Sequence, residues 1–354
     1  MTAFGNLDAT WSGLVENRTA LTGVKIGGAK LWPLGVVPGL VDAFGSHQRL
    51  DALLERLLDD LPDIPADTAL IVATTKGAVD ELLHHPKKPA RQQPWDIAAN
   101  LAQRLDLTGQ TSTVSAACAS GTLALIHGAQ LVISGEADQV LVVGVDLLSQ
   151  FVTGGFLKLH ALSPEPCRPF DKNRNGLSLG EGAGYALLTT REIAGAKGLP
   201  KLASIVDWGV ACDASHITAP CKQASGLIAA IRQITEKGHV IGAINAHGTG
   251  TPYNDAMEMR AFKELWPAIP TFHSVKGAIG HCLGAAGIIE AAIAIRSLQE
   301  GFIPPTVGHV TSEPDVSGVS GSRSLELLYP SILSCNSGFG GINAAVLFSL
   351  RVNT

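Results

Sequence analysis

Cys118 stands in the run Ser115-Ala116-Ala117-Cys118-Ala119-Ser120-Gly121, where a strand-like stretch gives way to a long apolar helix. A thiol placed there meets unpaired helix N–H groups and the positive end of the helix dipole, both of which favour the nucleophilic thiolate. Taken alone, a buried cysteine in a small-residue turn is an equally ordinary reading, because free cysteine is among the most buried residue types. His247, in Asn245-Ala246-His247-Gly248-Thr249-Gly250, follows a strand-like run, and His281, in Ala278-Ile279-Gly280-His281-Cys282, precedes a second apolar helix. Either histidine alone would pass as a satisfied core imidazole. With Cys118 they make three chemically capable groups at strand-to-helix junctions, where α/β proteins commonly bind ligands. Such a trio suits acyl transfer followed by decarboxylation: a soft nucleophile holds the acyl group, and two N–H donors face a thioester oxygen as it becomes an enolate.

Other readings of these residues are weaker. His247, His281 and Cys282 are metal-capable types, but they lack the i, i+4 or C-x-x-C spacing of familiar sites, so no metal is expected. Gly338-Phe339-Gly340-Gly341 could form a turn whose backbone N–H faces an oxyanion, with Phe339 over the pocket. That turn has neither the phosphate-loop pattern nor the early β-α position of a dinucleotide fingerprint, so ATP and NAD are not implied. His84 and His85, beside Pro86, Lys87 and Lys88, read as a solvated loop, and Cys167, Cys212 and Cys221 as structural.

The elements that must carry these groups are legible as patterns. Asp8 to Glu16 reads as a short amphipathic helix capped by Asp8 or Thr10, with Trp11, Leu14 and Val15 on one face; residues 48–60 read as another. Ala69 to Thr74 is a continuous apolar run, as expected of a strand buried on both faces. Thr111 to Leu148 reads strand, helix, strand, a right-handed β-α-β unit. The second half repeats this grammar, with a strand-like run over Val240–Asn245 and an apolar helix after His281. GEGAGYALL and GFGGINAAVLF both place glycines before a strand, so the chain looks like two diverged halves, 1–198 and 199–354.

Bulk properties narrow the class. The chain has 354 residues, 46% hydrophobic and 16% charged, with 39 glycines, which fits a large packed interior. A formal net charge of -5 without long like-charge runs gives no footprint for nucleic acid or an anionic membrane. The six cysteines form no disulfide framework, the N-terminus has no secretory signal pattern, and Ala116 to Gly135 reads as a buried helix rather than a membrane span. A cytoplasmic protein with reduced thiols is the expectation.

Four blocks in one order carry a resemblance: SAACASG around Cys118, RPFDKNRNGLSLGEGAG over 168–184, NAHGTGTPYND around His247, and SVKGAIGHCLGAAGIIE around His281, followed by NSGFGGIN. The sequence resembles the elongating, Cys-His-His type of β-ketoacyl-acyl carrier protein synthase, within the thiolase-like superfamily. The resemblance implies an α/β thiolase-like fold of five layers, α-β-α-β-α, made of two similar halves, with the helices after Cys118 and His281 between the sheets. It implies decarboxylative condensation of an acyl thioester with malonyl-acyl carrier protein, in fatty acid or polyene/polyketide-like biosynthesis. Cys118 matches the acyl-accepting nucleophile, His247 and His281 the pair that polarises the malonyl thioester, and Lys276 the site lysine with Glu290 its acidic neighbour. The backbone N–H groups of Cys118 and Phe339 match the oxyanion hole, and Phe339 the gate of the acyl pocket; Asp255 and Glu181 match acidic positions that support structure. No cofactor is implied beyond the phosphopantetheine that carries the substrates. The implied partners are acyl carrier protein and a second subunit, as homodimer or as heterodimer with a related ketosynthase-like chain. A chain-length-factor-like partner subunit is the competing reading, and such subunits usually lose the nucleophile. The sequence departs from the family in lacking the opening buried strand, in being short between residues 25 and 68, and in carrying ATTKG at 73–77 where a glycine-rich turn is more common.

Overall fold

The computed structural model describes residues 1–26, 28–84, 93–314 and 316–351, with the His84 side chain left out; of the loop expected around His84 and His85, the backbone of His84 is helical and the remainder, from His85 to Lys88, falls outside what is described. Along the chain, α1 (Leu7–Val15) leads into a hairpin of β1 (Leu21–Lys25) and β2 (Leu31–Gly35), then α2 (His47–Leu58) and β3 (Ala69–Ala73). Next come α3 (Asp80–His84), α4 (Pro94–Arg104), β4 (Thr111–Val114), α5 (Ser120–Ile133), β5 (Gln139–Asp146), α6 (Gln150–Lys158), β6 (Gly182–Thr189) and α7 (Arg191–Ala196). The second half contains β7 (Ser204–Cys212), α8 (Ser225–Thr235), β8 (Ala243–Asn245), α9 (Pro252–Leu265), β9 (Thr271–His273), α10 (Lys276–Ile279) and a 3-10 turn at Leu283–Ala285. It closes with α11 (Ala286–Glu300), a short pair of β10 (Phe302–Ile303) and β11 (Leu325–Glu326), then β12 (Ser331–Gly338) and β13 (Ile342–Ser349).

The first sheet has the order β4-β3-β5-β6 and the second β7-β13-β12-β8-β9. Each contains three parallel strands followed by an antiparallel one: β6 runs against β5 as β13 runs against β12, so GEGAGYALL and GFGGINAAVLF do occupy equivalent places. Every residue of β3 and β5 is buried, which explains the apolar composition of β3 and of β5 between its polar end residues Gln139 and Asp146. The unit over Thr111–Leu148 is wider than the sequence suggests, because β3 lies between β4 and β5 and pairs with both.

Helices α5 and α11 pack on each other between the sheets; α2 and α4 lie against the first sheet, and α8, with α9 packed on it, against the second. These are the five expected layers. Glycines permit the central contact, since a Cβ on Gly121 would come within 2.8 Å of the Ile288 nitrogen and one on Gly287 within 2.4 Å of the Thr122 nitrogen. The N-termini of the two central helices are thereby brought together, and with them the segments bearing Cys118 and His281.

Two local expectations change. The cap of α1 is Asn6, whose side chain accepts the Ala9 N–H, rather than Asp8 or Thr10, and Val15 is exposed while Thr10, Trp11, Gly13 and Leu14 are buried. In the first sheet the outer side of β6 has no partner strand among the described residues, whereas β13 is flanked by β7. Met1 alone pairs there, exchanging hydrogen bonds with Ala183, so β6 is half-buried beyond Ala183 where β13 is buried almost throughout.

Candidate functional site

Cys118 lies just before α5 and is 6% exposed. Its approach is a tight turn: Ala117 takes a left-handed conformation with φ 48°, and Ala119 N–H and Ser120 N–H donate to the carbonyls of Ala116 and Ala117. For a residue with a Cβ this conformation costs about 1 kcal/mol or more. The Phe339 N–H, from the turn between β12 and β13, is directed at the Cys118 sulfur. A side chain at position 338 would press on the Cys118 turn, since a Gly338 Cβ would stand 3.1 Å from the Ala116 oxygen and 3.3 Å from the Cys118 nitrogen.

The structure brings His247 and His281 to the same point. The Cys118 sulfur and one nitrogen of each ring all lie within 4.8 Å of one another, and the rings meet edge to face at 5.2 Å. The outer hydrogen bonds decide what these nitrogens can do. Leu283 N–H donates to His281 Nδ1 at 3.2 Å, and the Asn336 side-chain amide contacts His247 Nδ1 at 3.2 Å. Asn336 Oδ1 is occupied by the Thr122 hydroxyl and its Nδ2 donates to Glu290, so the same Nδ2 is the donor to His247. With both Nδ1 atoms accepting, the ring proton of each neutral imidazole sits on Nε2. His281 Nε2 has no partner among the described residues. Burial, reinforced by the nearby Lys276 charge, holds both histidines well below their ordinary pKa. The site thus presents buried neutral N–H donors. A metal-binding pair would want the reverse, with Nε2 bare and Nδ1 donating to its own partner.

Lys276 and Glu290 close the circuit behind His247. Lys276 Nζ donates to the His247 carbonyl at 2.5 Å and to Glu290 Oε1 at 2.5 Å, while Glu290 Oε2 accepts from Asn336 at 2.7 Å. Residues from α10, α11 and β12 therefore fix one imidazole. Burial raises the Glu290 pKa and Lys276 opposes the rise. Glu258 of α9 accepts the N–H groups of His247 and Gly248, each at 2.7 Å, and anchors the same loop.

The two supporting acids take up structural positions. Asp255 accepts from Phe170, Thr249 and Gly250 N–H groups, tying the loop after His247 to the 168–184 connection. Glu181 is paired with the buried Arg49 and accepts the Val37 and Leu148 N–H groups. Phe339 is half-buried and stacks on Phe156 of α6 at 5.4 Å, against an apolar cluster that includes Leu148, Leu162, Leu179 and Leu283. A separate cleft of about 280 Å³ lies along α9, lined by Phe170, Arg174, Asp255, Met259 and Glu313 among others, and holds none of the three reactive groups.

The thiol differs from its sequence reading. The helix dipole was expected to favour the thiolate, but burial dominates and pushes the Cys118 pKa up to about 12, with Lys276 and the Phe339 N–H opposing. Alkylation of Cys118 by iodoacetamide, read by peptide mass, is therefore expected to rise about tenfold per unit between about pH 7 and about pH 9. A plateau near pH 7 would mark a stabilised thiolate instead. Sequence reasoning also passed over Asn336, Glu258 and Asp146. Asn336 sits two residues before Gly338 in NSGFGGIN, and Asp146 ends an apolar run, the latter being the only local signal for it.

The profile of the β-ketoacyl synthase N-terminal domain matches residues 66–194, and that of the C-terminal domain residues 202–310. A 3-oxoacyl-[acyl-carrier-protein] synthase 2 of Vibrio cholerae is 36% identical over 71% of this chain and 65% of its own length. Nodulation protein E of Rhizobium meliloti is 33% identical over 73% of this chain and 66% of its own. The chain thus spans about 65% of the length of these curated relatives in the aligned region. Among solved structures, the ishigamide ketosynthase/chain length factor superposes with TM-score 0.87 at 28% identity, covering 99% of this chain and 96% of that one. A β-ketoacyl synthase from Burkholderia phymatum gives 0.85 at 25% identity, covering 99% and 97%.

Proposed function

This chain belongs to the β-ketoacyl synthase family, and from that premise we propose that it is a 3-oxoacyl-acyl carrier protein synthase, an acyltransferase that condenses an acyl thioester with malonyl-acyl carrier protein. The observation that carries the reading is the meeting of the Cys118 sulfur with one nitrogen of each imidazole, all within 4.8 Å, in rings whose Nδ1 atoms are engaged by Leu283 and Asn336, which leaves the proton to Nε2. In the first half-reaction Cys118 sulfur bonds to the acyl carbon, the bond to the carrier's thiol breaks, and that thiol leaves with the cysteine proton. Malonyl-carrier protein then loses carbon dioxide; the released electron pair makes an enolate whose oxygen takes hydrogen bonds from His247 and His281 Nε2–H. The enolate carbon attacks the acyl-cysteine, the Cys118 and Phe339 N–H groups face the developing oxyanion, and collapse releases the thiolate, which takes up one proton. Lys276 and Glu290 position His247 without touching the reacting atoms.

No resident cofactor or metal is required by these steps; phosphopantetheine brings the substrates. The substrates belong to fatty acid or polyene/polyketide-like biosynthesis, and movement of Phe339 off Phe156 would open the apolar cluster to an acyl chain. A second subunit, identical or related, and a cytoplasmic setting complete the proposal. Retention of Cys118 with both histidines supports the catalytic role over that of a chain-length-factor-like partner. Among the described residues, no helix is long and apolar enough to cross a membrane. The test is His281→Ala, which is expected to slow malonyl decarboxylation by about a hundredfold while changing Cys118 acylation by less than about tenfold. A defect confined to acylation would contradict the assignment.

A further inference from the structure

Lys76 follows β3 in the Ala73-Thr74-Thr75-Lys76-Gly77 segment, and its side chain is 7% exposed, an unusual place for a lysine with no assigned role. Its Nζ lies 3.1 Å from Asp146 Oδ1, at the end of β5. The fully buried Asp146 carboxylate is crowded with donors: the Thr74 hydroxyl at 3.2 Å, the Thr75 N–H at 3.0 Å and hydroxyl at 2.8 Å, and the Gly284 N–H at 2.7 Å. Gly284 belongs to the turn that follows His281. A Cβ at that position would meet Asp146 Oδ2 at 2.7 Å, so glycine is what lets the carboxylate reach the backbone.

The residue between, Leu283, is held in the left-handed region at φ 52°, and its N–H is the donor to His281 Nδ1. A branched side chain adopts that conformation only when its surroundings impose it. The constraint visible here is Asp146 gripping the next N–H along the chain. Contacts thus run without a gap from Lys76 through Asp146, Gly284 and Leu283 to the His281 ring, one nitrogen of which lies within 4.8 Å of the Cys118 sulfur.

We propose that Lys76 is a positioning residue for the decarboxylation half of the reaction: by countering the buried charge of Asp146 it holds the 283–284 turn that aims His281. This rests on the role proposed above for His281. Direct contact of Lys76 with substrate is not needed, and the acylation half-reaction, which uses the Cys118 turn, is left nearly untouched.

The experiment compares Lys76→Met, Lys76→Arg, Asp146→Asn and the double variant Lys76→Met/Asp146→Asn, measuring Cys118 acylation by intact mass and carbon dioxide release from malonyl-carrier protein. Lys76→Met is expected to slow decarboxylation about thirtyfold, the scale at which a misplaced catalytic group fails, with acylation within about threefold of the parent. Lys76→Arg restores most of the rate. The double variant buries no unpaired charge, so it keeps the test open if Lys76→Met does not fold, and it is expected to be no slower than Asp146→Asn alone. Equal losses in both half-reactions, additive effects in the double variant, or an unchanged rate in Lys76→Met would each overturn the proposal. In parallel, nitrogen NMR of the His281 ring reads its tautomer independently of turnover, and Lys76→Met, or the double variant if that fails to fold, is expected to lose the single Nε2–H form while His247 keeps it. An unperturbed His281 ring overturns the inference. A parent protein that neither acylates nor decarboxylates defeats the proposed function instead, leaving the ring signal to decide the role of Lys76.

Discussion

Replacing Cys118 with alanine is expected to abolish acyl transfer and condensation together, a loss on the order of a millionfold if no other nucleophile can substitute. The replacement should leave the fold intact, because alanine fits among the neighbouring Ala116, Ala117 and Ala119 and only one buried sulfur is removed. None of the other cysteines offers a detour. Cys167, Cys282 and Cys335 are buried like Cys118, but none of them shares its cluster with the two imidazoles. The three-atom cluster contains Cys118 and neither of the remaining two, Cys212 and Cys221. Since both imidazoles stay in place, the alanine variant is expected to retain residual malonyl decarboxylation. That separation of activities is checked by acyl-adduct mass and carbon dioxide release on one preparation. Condensation at the parent rate would remove Cys118 from the mechanism.

Lys276→Met is expected to cost both stability and turnover. It strands the Glu290 carboxylate inside the protein and frees the His247 carbonyl, and breaking a buried pair in this way costs about 3–5 kcal/mol. The pH dependence has a definite sign. Glu290 already titrates above its ordinary value because it is buried, and losing the Lys276 charge pushes it further up. A carboxyl whose folded pKa is raised binds its proton more tightly when folded, so the associated stability is present at low pH and lost as pH rises through the folded value. The deficit of Lys276→Met against the parent should therefore be smaller near about pH 5 than near about pH 8. The histidines act in the same direction: removing the Lys276 charge relieves part of their depression, so the variant is penalised less than the parent in acid. Adding Glu290→Gln should recover much of the stability, whereas turnover should stay low because the Lys276 contact to His247 is still gone. Denaturant melts at the two pH values check this, and a deficit that grows in acid would contradict it.

Much of the fold is legible in the sequence because its core strands are buried on both faces. Ala69–Ala73 and the 140–145 stretch of β5 announce themselves as apolar runs, and the long small-residue helix after Cys118 is as clear. Strand order is not visible, since periodicity says which faces are buried and not which strand inserts between two others; hence β3 between β4 and β5. The α1 cap was misplaced by two residues or more because Asn6, Asp8 and Thr10 are all competent caps by type, and only backbone geometry selects among them. At the site, the reactive types were legible from their junctions. Asn336 was not, because its importance lies in contacts 46 and 89 residues away, to Glu290 and His247. The thiol's environment was misjudged for a related reason: the helix dipole is a local property, whereas burial depends on the whole fold.

The most direct test of the account is intact mass of the protein after exposure to a panel of acyl-carrier proteins, followed by addition of malonyl-carrier protein. One acyl adduct on Cys118 is expected, which disappears when malonyl-carrier protein is added, with release of carbon dioxide and a β-ketoacyl product extended by two carbons. An adduct that persists in the presence of malonyl-carrier protein, or no adduct from any donor, would contradict it.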